Sequence, residues 1–289
     1  MSLFRRNDSD IRLAVAALTD VGQSRDHNED RFLVVDLTTR DTSVKNGARP
    51  TELGPRGTLL LVADGMGGAA AGEMASQMAV DLIFEQLATS WSSETDSSPD
   101  LFALRVREAV ERANAHINAV SEEQPRLHGM GTTATVVGIL GPQLLLSQVG
   151  DSRAYLIRDG VALQMTRDQS YLQHLLDTGR VSEEQAHELA PRNVILQALG
   201  PSPTVEVVQH WQPLLRDDMV LLCSDGLSGL VSADDIAGIV TSTDALPKAC
   251  QKLIDLANER GGPDNITVIL ARFTGGGLMT AGEAEGVGG

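Results

Sequence analysis

The chain of 289 residues is 42% hydrophobic and 21% charged, a composition that suits one or two folded domains and sets aside the disordered classes. Its 23 Lys and Arg against 39 Asp and Glu give a formal charge of −16, which argues against a basic nucleic-acid binder and reads as a solvated acidic surface. No signal-type apolar core follows "MSLFRRNDSD", no apolar run approaches the ~20 residues of a membrane span, and Cys223 and Cys250 lack CxxC spacing, so a cytoplasmic protein with two buried thiols is expected.

Ile11 to Asp20 and Arg31 to Asp36 read as strands, apolar and β-branched between polar turns. Leu37 to Gly57 has no apolar period and reads as a loop. "LLLVADGMGG", from Leu59 to Gly68, is a strand that runs into a carboxylate and then into glycines. A helix over 72–88 follows, with Met74, Met78, Val80, Ile83, Phe84 and Leu87 at helical spacing and its methionines expected as core filler. "WSSETDSSPD" reads as a linker, and Pro99 and Asp100 open a second helix through Leu101, Leu104, Val106, Val110 and Ile117. Close-spaced strands over 132–140, 143–150, 153–160 and 161–165 read as a meander, so the sheet is expected to be largely antiparallel. Thr166 to Leu199 is short and helical in pattern, with "SEEQ" at Ser182 to Gln185 as a capping box. Strands resume over 204–210 and 218–225, a helix spans Asp244 to Arg260, and a strand over 265–273 closes the domain. Residues 1–10 read as a short extension and the Gly-rich residues 274–289 as a disordered tail.

Asp64, Asp151 and Asp225 each end an apolar strand, Asp264 precedes one, and Glu29 and Asp30 lead into another. One strand-end Asp is ordinary turn chemistry. A set of them on one rim would be a site, because two carboxylates ~4 Å apart repel by about 4 kcal/mol at an effective dielectric of 20 and need a cation between them. Hard oxygens without a Cys or His set favour Mg²⁺ or Mn²⁺ over Zn²⁺, and a pair of such ions suits displacement at phosphorus. The glycines after Asp64 have two readings: they cradle a phosphate, or they clear space for a carboxylate and a bare carbonyl to hold a metal. A dinucleotide fingerprint in "GMGGAA" fails, since a linker and a helix follow where a second strand is needed. "DHNEDR" fails as a calcium loop at Arg31 and Leu37, and neither a P-loop nor a G-x-S-x-G elbow occurs.

In chain order "GQSRDHNEDRF", "VADGMGG", "MGTTA", "VGDSRAYL", "CSDGL" and "GGPDNITV" resemble the motifs of the metal-dependent (type 2C) serine/threonine protein phosphatases in their bacterial form. The resemblance runs from about Ile11 to Phe273. It implies one catalytic domain over 11–273, an α+β sandwich of two antiparallel sheets with helices on both outer faces, and a small helical flap over about 166–199. It implies Mn²⁺ or Mg²⁺, two ions bound tightly and a third more weakly. Asp64 would bridge the tight pair, with the Gly65 carbonyl completing one ion; Glu29 would reach the first through water, with Asp30 behind it, and Asp225 and Asp264 would hold the second. Asp151 and Asp225 would take the third ion, the alternative being that Asp151 caps a turn. Arg25 resembles the clamp that grips two phosphate oxygens.

Met66 stands where the eukaryotic branch has a His thought to donate a proton, so that proton is expected from a water on a metal, or failing that from His27. Ser152, Arg153 and Asn265 are read as turn residues. The activity implied is hydrolysis of phosphoserine and phosphothreonine on proteins, opposing a bacterial serine/threonine kinase. The protein is expected to be a monomer without nucleic-acid or membrane partners. A phosphatase of small phosphate esters and a non-catalytic phosphatase-fold binding module are the alternatives, and the intact Glu29, Asp64, Asp225 and Asp264 speak against the module.

Overall fold

Leu59, Leu60, Leu61 and Val62 are all fully buried, which requires cover on both faces of their strand. A computed structural model describes residues 10–43, 50–182 and 194–285 and supplies that cover. Its strands are β1 (Arg12–Asp20), β2 (Arg31–Asp36), β3 (Thr51–Glu52), β4 (Thr58–Ala63), β5 (Gly65–Met66), β6 (Gly131–Thr132), β7 (Ala134–Leu140), β8 (Gln143–Val149), β9 (Arg153–Arg158), β10 (Val161–Gln164), β11 (Val208–Pro213), β12 (Met219–Cys223) and β13 (Ile266–Thr274). One sheet has the order β10-β9-β12-β13-β1-β3, a second β11-β8-β7-β4-β2, and β5 and β6 make a small third. Every ladder within them is antiparallel.

Side chains on alternate positions sort into three clusters. Leu60, Val62, Val137, Leu222 and Ile269 fill the space between the two large sheets. Leu59, Leu61 and Val136 face outward against the helices α1 (Ala69–Ser90) and α2 (Pro99–Glu123). Leu221, Val268 and Leu270 face outward on the other side, against the helices Ala233–Thr241 and Leu246–Glu259. The expected sandwich with helices on both outer faces is therefore present. Cys223 and Cys250 are buried free thiols, and among the described residues no helix is long and apolar enough to cross a membrane.

Several expectations need correction. The strands read as one meander divide between sheets: β7 and β8 pair in one, β9 and β10 in the other. The change of sheet occurs over Gly150 to Ser152, where Gly150 has φ 102° and an added Cβ would lie 2.6 Å from Thr133 Cγ2. Trp91, assigned to a linker, is fully buried; its ring lies 5.0 Å from Phe102 and its indole N–H donates to the Arg56 carbonyl. Met74 is exposed, so it does not fill the core. Of the Gly-rich tail, residues 275–285 are ordered. Gly275 has φ 112° and turns the chain around Asp10, which accepts from the N–H groups of Gly276 and Gly277, and Leu278 then fills the inter-sheet core. Residues 1–9 and 286–289, and the capping box proposed over 182–185 beyond Ser182, lie outside the described residues.

Candidate active site

Antiparallel pairing brings the acidic positions to one rim. β12 runs toward Asp225 while its partner β13 starts just after Asp264, and β4 runs toward Asp64 while its partner β2 starts just after Asp30. The sheet change after β8 leaves Asp151 at that rim as well. Arg25, Glu29, Asp64, Gly65, Met66, Gly67, Gly68, Ile195, Asp225 and Asp264 line one cavity of about 190 Å³. Asp30 and Asp151 lie outside that lining, buried at 1% and 6% exposure.

Gly65 of the "DGMGG" segment and Gly72 in the first turn of α1 serve close approach. A Cβ on Gly65 would sit 2.2 Å from the Gly72 carbonyl oxygen and 2.7 Å from that of Glu29; one on Gly72 would sit 1.8 Å from Glu29 Oε2. Only bare backbone lets Glu29 lie between Gly65 and the first turns of α1. Asp64 is held through its backbone: its N–H donates to Thr133 Oγ1 at 2.9 Å and its carbonyl accepts from the Thr133 N–H at 2.9 Å. Thr133 Oγ1 in turn lies 2.8 Å from Ser152 Oγ, so Ser152 does more than shape a turn. Arg153 extends the same tie, donating to both oxygens of Asp168 at 2.9 and 2.7 Å and fastening the start of the expected flap.

Asp30 Oδ2 accepts from Ser224 Oγ and Thr267 Oγ1, each at 2.7 Å, while its Oδ1 is buried without a hydrogen-bond partner, as is Asp151 Oδ1. Burial first, then the neighbouring carboxylates, raises the pKa of Asp64 well above the ordinary range and raises that of Asp225. Asp30 and Asp151 are pushed up to about 7, burial being the larger cause for both. Glu29 is raised as well, again chiefly by burial.

Arg25, the lone cation among the described lining residues, donates to Asp264 Oδ2 at 2.8 Å from an exposed loop, and that bond raises the pKa of Arg25. Crowded carboxylates, the orphaned buried oxygens of Asp30 and Asp151, and the absence of Cys and His from the described lining residues fit a hard divalent cation. Among the described residues no three Asp, Glu, His or Cys side chains close around one point unaided, so backbone oxygen or water must complete any coordination. His27 is exposed and outside the cavity lining, and the Met66 side chain packs toward Gly131.

Sequence reasoning missed Ile195 in the lining and the side-chain ties of Asn265, Ser224, Thr267 and Thr133. Polar residues at the ends of otherwise apolar strands ("CSD", "NIT", "GTTA") were the available signal.

The family model described as "Protein phosphatase 2C" matches residues 50–270. The serine/threonine protein phosphatase PstP of Mycobacterium tuberculosis is 39% identical over 259 residues, covering 90% of this chain and 45% of that protein, so the chain spans about half the length of that relative. The serine/threonine phosphatase stp of Listeria monocytogenes is 36% identical over 253 residues, covering 87% of this chain and 92% of that one. A solved structure of the PstP catalytic domain in complex with two manganese ions superposes with a TM-score of 0.73 at 35% identity, covering 91% of this chain and 99% of the other.

Proposed function

Because the chain belongs to the protein phosphatase 2C family, we infer that it hydrolyses phosphoserine and phosphothreonine on proteins, with divalent cations held on its acidic rim. The observation that carries this reading is the convergence of Glu29, Asp64, Asp225 and Asp264 with one arginine on a single cavity.

Asp64 and the Gly65 carbonyl would serve two ions, one shared with Glu29 and the other with Asp225 and Asp264, all of which line the cavity. Support for a manganese pair comes from the similar mycobacterial domain described with two manganese ions. Cations held there would neutralise the carboxylates, activate water and polarise the phosphoryl group. A weaker third ion would use Asp151 with Asp225, consistent with the orphaned Asp151 oxygen. Asp30, fixed by hydrogen bonds from Ser224 and Thr267, would stay buried behind the ligands.

Arg25 binds the phosphate. A phosphorylated side chain carries close to two negative charges, and its oxygens can replace the Asp264 carboxylate on the guanidinium. Met66 has no proton to give and His27 stands outside the lining, so the leaving serine or threonine oxygen takes its proton from water in the cavity. Substrates on this reading are phosphoproteins, among them a serine/threonine kinase and its targets, met by a monomer.

Hydrolysis of a phosphothreonine peptide and of an aryl phosphate, compared in Mn²⁺, tests the reading. The peptide is expected to show the larger kcat/KM, and Asp225→Ala to abolish both while remaining folded. Equal kcat/KM values would favour small esters as substrates, and a wild-type protein that binds phosphopeptide without releasing phosphate would favour the binding module.

A further inference from the structure

Arg25 and Glu29 both belong to a loop with little structure of its own. Between β1 and β2, residues Val21 and Gln23 to His27 are exposed, and the loop touches the body through few bonds. Gln23 N–H donates to the Gly262 carbonyl at 2.7 Å, and Gly22 packs so closely that an added Cβ would lie 2.1 Å from the Asp264 carbonyl oxygen. The Ser76 hydroxyl donates to the Glu29 carbonyl at 2.5 Å and the Asn28 side chain to Thr19 Oγ1 at 2.9 Å, and beneath the loop lies the side chain of Asn265, 4% exposed, which makes three bonds to the loop backbone. Its Oδ1 accepts the Glu29 N–H at 2.8 Å, and its Nδ2 donates to the Val21 carbonyl at 2.9 Å and the His27 carbonyl at 2.8 Å. Those partners also fix which end of the amide is oxygen, since one faces an N–H and the other faces two carbonyls.

We propose that Asn265 is a positioning residue for phosphate recognition, pinning the 21–29 loop so that Arg25 and Glu29 meet the carboxylates of the opposite sheet. The inference rests on the phosphatase reading and assigns Asn265 a role beyond turn formation. One side-chain amide spans both ends of the loop and its carboxylate-bearing residue, and the backbone N–H of Asn265 donates to Asp264 Oδ1 at 2.9 Å. A shift of the amide therefore moves Arg25 and Glu29 relative to Asp264 together. An alanine here leaves one buried N–H and two carbonyls to find water, and the loop loses its register.

The test compares wild type, Asn265→Ala and Asp218→Asn. Asp218 is a destabilised control far from the rim: it is 1% exposed, accepts a two-point ion pair from Arg158 and caps the Leu215 N–H. Steady-state kinetics on a phosphothreonine peptide at saturating Mn²⁺, calorimetric Mn²⁺ titration and melting temperature are read for each. Asn265→Ala is expected to raise KM at least tenfold and the Mn²⁺ midpoint at least threefold, while Asp218→Asn lowers the melting temperature and moves neither. An Asn265→Ala protein that melts earlier but overlays wild type in KM and in the Mn²⁺ isotherm would overturn the proposal, and so would equal KM shifts in the two variants.

If Asn265→Ala fails to fold, Asn265→Asp replaces it. This variant keeps the acceptor for Glu29 but offers nothing to the Val21 and His27 carbonyls, so KM is again expected to rise, and an unchanged KM refutes the role. Failure of the phosphatase reading itself would appear separately, as a wild type without turnover, and the Mn²⁺ isotherms would still report on Asn265.

Discussion

Arg25 is half exposed and already engaged with Asp264, so its gain on binding phosphate is the difference between two charge-assisted bonds. Arg25→Ala is expected to raise KM for a phosphothreonine peptide by about 1.5–3 kcal/mol, roughly ten- to a hundredfold. An unchanged KM with kcat alone reduced would place Arg25 in the transition state only. Asp151 separates two further readings. As a ligand of a third ion, Asp151→Asn lowers kcat and shifts the Mn²⁺ dependence upward while two ions stay bound; as a turn cap it costs about 1 kcal/mol of stability and leaves the titration unchanged. We expect the former, because Asp151 Oδ1 is buried without a partner. The acidic positions were legible in the sequence because each stands where an apolar run starts or stops. Asn265 was not: its partners are backbone groups of residues Val21, His27 and Glu29, up to 244 positions away, and nothing in a side-chain pattern reveals a backbone acceptor.

The junction of β4 with α1 sets the geometry of Glu29, and glycine is its control. Ala is a better helix former than Gly by about 1 kcal/mol, yet at position 72 its Cβ would lie 1.8 Å from Glu29 Oε2. The flexible carboxylate gives way before the backbone does. The same Cβ would also lie 3.0 Å from the Gly65 backbone carbon, so Gly72→Ala is expected to melt somewhat earlier than wild type in EDTA, and the rise in melting temperature on adding Mn²⁺ to shrink. A full Mn²⁺ response in a stable Gly72→Ala would show that Glu29 contributes no metal affinity. Strands and long helices were readable from apolar runs and periodicity. Which sheet each strand joined was not, because the turn through Gly150 that carries the chain from β8 to β9 is written in contacts with Thr133 and not in the strands themselves. The ordered residues 275–285 were hidden for a similar reason: three glycines look flexible until Asp10 accepts from the N–H groups of Gly276 and Gly277.

Across the whole molecule the acidic rim works against folding until cations neutralise it. Asp30 and Asp151 bind protons in the folded state at about 7, against 3.8 ordinarily, so the native protein holds protons that the unfolded chain releases. Stability of the EDTA-treated protein must then fall as pH rises through that window, and rise as pH falls from about 8 to about 5. Surface pairs such as Asp235 with Arg260, which holds the Asp235 carboxyl at about 2, lose their contribution only at lower pH. The melting temperature of EDTA-treated protein is expected to be higher at about pH 5.5 than at about pH 8, with Mn²⁺ removing the difference; a metal-free protein most stable at the higher pH would contradict it. The central claim, that these carboxylates hold the cations of a protein phosphatase, is tested most directly by phosphate release from a phosphothreonine peptide as free Mn²⁺ is titrated from EDTA upward. The account predicts no release in EDTA and a saturable rise with Mn²⁺ that Asp64→Ala abolishes. Release that persists in EDTA, or that never appears at any Mn²⁺ concentration, would contradict it.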